Sequence, residues 1–231
     1  MQSHFRRTAL LQALFATFSG LALQVATGSE QPYAPFSAYQ MSQQSEIALA
    51  RSAAPSSIST HATIEVLTPK GYEVASKGDS EFTCMVLRSW SAAPSPDDTR
   101  YAPIRAPICF DSIAAKTVVP AEELKAKLGL AGKSPDQIAA EVALQYGLGK
   151  LPRMESVSFA YMWSASQTLG PGAGAWHPHM MIYAPYYKNQ WLGNNPVGNH
   201  NAPFVVGDGT PYTIVMVVVD DKLAIKAAST D

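Results

Sequence analysis

Two histidines one residue apart carry the first chemical signal of this chain, in the run Trp176-His177-Pro178-His179-Met180-Met181. The run follows a Gly-rich turn, Gly170-Pro171-Gly172-Ala173-Gly174, and leads into an apolar stretch. If that stretch is a strand, positions 177 and 179 share a face, and two imidazoles on one face can grip a metal ion. A catalytic zinc needs a third ligand. His200 is the first candidate, because a loop over 186–201 can fold back across the strand, and His61 is the second. Glu65 or Asp208 would then supply a carboxylate ligand or a base. Met180 and Met181 add soft donors that would turn the choice toward copper, with Met181 on the histidines' face and Met180 on the other. The alternative is a pair of hydrogen-bonded histidines beside a ladder-breaking proline, with the methionines as core.

The loop Tyr186-Tyr187-Lys188-Asn189-Gln190-Trp191-Leu192-Gly193-Asn194-Asn195 points to a second chemistry. Aromatic faces flanked by amides suit sugar rings: Tyr186, Tyr187 and Trp191 would stack, while Asn194 and Asn195 would bond hydroxyls. The alternative is a long loop pinned to the domain by its own aromatics.

Two partial family resemblances attach to these motifs. Gly172 to His179 followed by Gly193 resembles the first cupin motif, and Pro196-Val197-Gly198-Asn199-His200 resembles the second. The glutamate that the cupin pattern places after the histidine pair is absent, since Ile182, Tyr183 and Ala184 stand there, and the two motifs lie close together for a barrel. His177-x-His179 after a Gly-Pro turn also resembles the zinc endopeptidases that cut peptidoglycan. Those carry an upstream His-x-x-x-Asp, for which the nearest match is His61-x-x-x-Glu65. Each resemblance covers a small part of the chain, and neither assigns a family.

Other catalytic signatures are missing from the sequence. There is no Gly-x-Ser-x-Gly elbow and no Ser-x-x-Lys pair. Gly132-Lys133-Ser134 ends like a phosphate-binding loop, but Lys127 stands where its leading glycine belongs, and a helix cap explains Ser134. With 47% hydrophobic and 15% charged residues and a formal net charge of -1, the 231-residue chain has no electrostatic footprint for nucleic acid.

Arg6 and Arg7 followed by an uncharged, Leu/Ala/Phe-rich run from Thr8 to Val25 read as a secretory signal over 1–28, leaving no membrane span once removed. In an oxidising compartment the two cysteines, Cys84 and Cys109, are expected to pair, closing a loop worth roughly 3 kcal/mol in the chain-entropy model.

The elements that must position these groups read as follows. Residues 29–60 are expected to be a loose arm with a short helix over 46–54 and a Ser-rich linker. Residues 61–231 are expected to form one domain. Strands are expected over 63–67, 72–76 and 82–90, the first two as a hairpin, then a Pro-rich loop over 92–107. Helices follow from Pro120 to Gly129 and over 135–146, the latter opened by the capping box Ser134-Pro135-Asp136-Gln137. Strands return over 157–163, 176–184 and 212–219, the last apolar enough to be central. This order predicts an α+β fold, a largely antiparallel sheet with two helices packed on one face. Three functions fit: an exported binding protein with a metal (zinc or copper) or glycan site at the His177/His179 strand and loop 186–201; a zinc-dependent hydrolase of cell-wall or extracellular polymers; and a structural envelope protein without a ligand.

Overall fold

The computed structural model describes residues 33–92, 103–170, 174 and 176–229. The expected signal segment, and most of the Pro-rich loop, lie outside the described residues. Among those residues, eight strands form one sheet in the order β2-β1-β3-β4-β5-β6-β8-β7. Their ranges are β1 Thr63–Thr68, β2 Gly71–Ser76, β3 Thr83–Leu87, β4 Ala106–Phe110, β5 Ser158–Met162, β6 His179–Tyr183, β7 Phe204–Val206 and β8 Ile214–Val218. Every neighbouring pair is antiparallel except β1 and β3, which are parallel.

That parallel pair follows from a tight crossing. The β1–β2 hairpin turns at Gly71, whose φ is +113°, and the chain then passes under the start of β1 to enter β3 on its far side. At the crossing the Gly78 amide donates to the Thr63 hydroxyl, and a Cβ at position 78 would collide with the His61 carbonyl. Only glycine permits this approach.

Helices cover both faces, not one. Along β3 the side chains alternate: Met85 and Leu87 join the larger core with Ala126 of α6 (Val119–Leu130, which follows the short α5, Ser112–Thr117) and Ile138 of α7 (Pro135–Gly147). Cys84 and Val86 point the other way and pack with Leu49 and Ala50 of α2 (Gln43–Arg51). The period of two thus splits one strand between two cores. Cys84 and Cys109 stand directly opposite each other on β3 and β4, fully buried, and form the expected disulfide. The α7 capping box is present as read: Ser134 accepts from the Gln137 amide, and the Gln137 side chain accepts from the Ser134 amide. The strand expected over 212–219 is shorter, as β8, and lies one place in from the edge formed by the three-residue β7.

From residue 33 onward the expected loose arm is packed. Tyr39 at the end of α1 (Phe36–Tyr39) is completely buried, its hydroxyl 2.9 Å from that of Ser89, and its ring lies 4.9 Å from that of Trp90. The Ser-rich linker is itself a helical turn, α3 (Ser56–Ser59). The stretch expected to continue β3 to Trp90 instead leaves the sheet as α4 (Ser89–Ala92). Just before it, Arg88 is fully buried and donates from Nη2 to Glu46 Oε1 at 2.7 Å and from Nη1 to the Val86 carbonyl at 2.6 Å. The same Glu46 oxygen accepts from the Leu67 amide of β1 at 3.1 Å.

A buried charge that loses its partner is far costlier than the pair itself. Glu46→Ala is therefore expected to lower the unfolding free energy by roughly 3–5 kcal/mol, read by urea denaturation. A loss no larger than that of an ordinary surface substitution would show that the pair is not what holds α2 down.

Candidate functional site

The histidine run does not enter the sheet as one extended segment. Pro178 has no N–H to give, so pairing begins at His179, and His177 stays outside the pleat. The Pro178 carbonyl still accepts from the Val219 amide at 2.9 Å, which anchors the strand start. The two imidazoles therefore part: His177 is exposed and His179 is 1% exposed.

Each ring is oriented by an acceptor at Nδ1. His179 Nδ1 lies 2.8 Å from the His177 carbonyl, which can only accept, so the proton sits on Nδ1 and Nε2 carries the lone pair. His177 Nδ1 lies 2.7 Å from the Asp221 carboxylate. Burial pushes the His179 pKa down to about 4, with the His200 and His177 charges lowering it further and the bond to the His177 carbonyl opposing them. The ring is neutral at pH 7.

His200 does fold back to this cluster. Its ring centroid lies 5.1 Å from that of His177 and 5.3 Å from that of Trp176, and it stacks on Phe204 at 6.2 Å. Trp176 in turn meets His179 edge-on at 4.3 Å. Yet among the described residues no group of three His, Cys, Asp or Glu is placed to hold a metal ion. His61 is not part of the cluster: it pairs with Asp79 at 2.8 Å near the start of β1, and three strands separate β1 from β6, a span of roughly 19 Å. Glu65 is buried on β1, where burial lifts its carboxyl to about 7, helped by Glu123 and opposed by Lys127. Asp208 accepts from the Asn189 amide and so holds the loop. Met181 shares the face of His179, and Met180 lies opposite, as alternation requires.

The aromatic loop is used largely to fasten itself. A 3-10 turn spans Asn189–Leu192, and Tyr187 packs against Ala184, Val205 and Val215 on the sheet face away from His179. The Asn195 amide donates to the carbonyls of Asn199, Ala202 and Pro203 and accepts from Asn199. Asn194 takes a left-handed turn at φ +57°. Trp191 stays exposed, with Lys188 Nζ 5.9 Å from its ring centre and the Tyr187 ring edge-on at 5.4 Å. Tyr186, at φ +63°, leaves the loop and faces a different site.

That site is a cleft of about 730 Å³ between α6, α7 and the sheet. Its floor is Met181 and Tyr183 of β6 with Ile214 of β8, and its walls carry Ala121, Val142 and Tyr146. Arg153, Tyr186 and Tyr212 are exposed at its rim. One ion pair is set into the wall, Lys125 Nζ to Glu122 Oε1 at 2.7 Å, and the second Glu122 oxygen is buried without a partner among the described residues. The Tyr146 and Tyr212 rings lie 5.1 Å apart, and burial pushes the Tyr146 hydroxyl up to about 12. Neither the aromatic loop nor the histidine pair points to this cleft. One signal in the sequence does: Ala139, Ala143 and Gly147 recur every fourth residue on α7, so an exposed row of small side chains borders the cleft and leaves its mouth open.

The folded-state pKa of His179, about 4 against an ordinary 6.5, sets a pH dependence. Stability is full above 6.5 and falls as pH drops toward 4, because only the unfolded chain takes the proton readily. The total is roughly 3 kcal/mol. His179→Asn, whose amide can still donate to the His177 carbonyl, is expected to flatten the stability profile between pH 6.5 and 4. An unchanged slope in chemical denaturation would refute the assignment. No family model, no curated protein and no solved structure matches this chain.

Proposed function

We propose that the protein is an exported binding protein that holds an apolar small molecule in the cleft between α6, α7 and β6–β8. The observation that carries this reading is the cleft itself. Its volume of about 730 Å³ falls within the range of small-molecule sites, and its floor and walls are mostly hydrocarbon and aromatic. The occupant has an apolar body over Met181, Val142 and Ile214, and its polar end remains at the rim beside Arg153, Tyr186 and Tyr212. Tyr186 keeps a left-handed backbone that a tyrosine adopts at a cost of order 1 kcal/mol, as residues at binding sites often do.

Export rests on the charged, then apolar, N-terminus and on the buried disulfide, which suits an oxidising compartment. Among the described residues no helix is long and apolar enough to cross a membrane. The hydrolase reading has less support, since among the described residues no group of three His, Cys, Asp or Glu is placed to hold a metal ion.

The test uses two dyes with one ring system, the anionic anilinonaphthalene sulfonate and the neutral phenylnaphthylamine. Both are expected to bind saturably at one site with dissociation constants on the order of micromolar. Ala143→Trp fills the cleft from an exposed position on α7, so the fold survives, and it should weaken both dyes at least about tenfold. Arg153→Ala should weaken the anionic dye more than the neutral one. Binding indifferent to Ala143→Trp, or no binding at all, would favour the structural reading.

A further inference from the structure

The cleft leaves the histidine cluster unused. His179 and Met181 lie on one face of β6, two residues or roughly 7 Å apart, so the cluster sits beyond the far end of the cleft floor. Two of its members meet a simple geometric condition. Nitrogen ligands bind zinc or copper at about 2.1 Å, and the ring centre lies about 1.1 Å further out. At a tetrahedral angle, two such ring centres stand about 5 Å apart. The His177 and His200 ring centres are 5.1 Å apart.

The surroundings match a ligand pair as well. The Asp221 carboxylate holds His177 at Nδ1, the carboxylate–histidine arrangement that fixes the tautomer of a metal ligand and leaves Nε2 to coordinate. His200 makes no hydrogen bond among the described residues, and Phe204 stacks on its ring, fixing the plane without occupying a nitrogen. His179 is the odd member. It is buried, turned inward and covered by Trp176.

We propose that His177 and His200 form a two-imidazole site for a divalent transition-metal ion, with Asp221 as a positioning residue and water completing the coordination shell. With two protein donors the site is open and exchangeable, unlike a closed structural zinc. The order of affinities for nitrogen sites puts copper(II) above zinc. The site is independent of the cleft, and its test does not require the cleft to bind anything.

The full-length protein, purified without a histidine tag, is titrated with copper(II) chloride and separately with zinc chloride by calorimetry. One saturable site is expected, tighter for copper. His177→Ala and His200→Ala should each weaken it at least about tenfold, and Asp221→Asn about tenfold, with thermal melts unchanged. His179→Asn and His61→Ala should leave affinity as in the parent chain. The copper(II) paramagnetic spectrum should carry the splitting of two imidazole nitrogens. Loss of binding in His179→Asn with its fold intact would overturn the two-imidazole assignment. So would affinity unaltered by His177→Ala and His200→Ala, or an absence of saturable binding.

Discussion

A guanidinium sealed from water, with one carboxylate as its counter-charge, organises the sheet half of this molecule. Arg88 leaves β3 where the chain turns into α4, and Glu46 reaches it from α2 while also accepting from the β1 amide of Leu67. Three elements far apart in sequence thus meet at one oxygen. The desolvation of both charges is expensive, so the arrangement holds only with its partners in place. A second arginine extends the scheme. Arg105, just ahead of β4, donates to the Ile104 and Tyr39 carbonyls and touches the Met41 sulfur. Burial lowers its pKa to about 10, with Arg88 adding to the fall. Two cations therefore fasten residues 33–51 to the sheet, and α2 can then close over the disulfide face.

With that face closed by α2, the opposite face carries α6 and α7, and there the packing is deliberately incomplete. Large residues fill the interval over β3 and β4, where Met85, Ile108 and Phe110 are fully buried. Further along the sheet, over β6 and β8, the flank of α7 that borders the cleft carries only alanines and a glycine, and the filling stops. The cleft is thus a local failure of interdigitation between a helix and a sheet that elsewhere pack closely, and its rim is set by the backbone turn at Tyr186 and by Arg153 from the segment before β5.

Local signals were the legible ones. The capping box at Ser134 and Gln137, the β1–β2 hairpin and the pairing of Cys84 with Cys109 depend on near neighbours or on an even cysteine count. The return of His200 to the strand was legible as a loop-length argument. The short helix expected in the arm is present as α2, but the arm is packed, not loose: glutamate, glutamine and proline look like surface residues, and nothing nearby in sequence shows that the Glu46 charge has a buried partner 42 residues away. The common face for His177 and His179 failed on one residue: Pro178 delays the ladder, and without a ladder there is no pleat to align them. Apart from the small-residue row of α7, the cleft draws on positions 121, 142, 181 and 214, which no local pattern links.

The row Ala139, Ala143 and Gly147 on α7 gives the molecule an unusual freedom. These positions sit on a helix flank that contributes little to the packed interior, so their side chains can grow or shrink while β6 and β8 stay untouched. Under the proposed binding role, each added methylene would narrow the gap and shift preference between occupants by about 1–3 kcal/mol. On that reading, single changes at three helical positions would retune what the cleft accepts, with the stability of the fold left out of the trade.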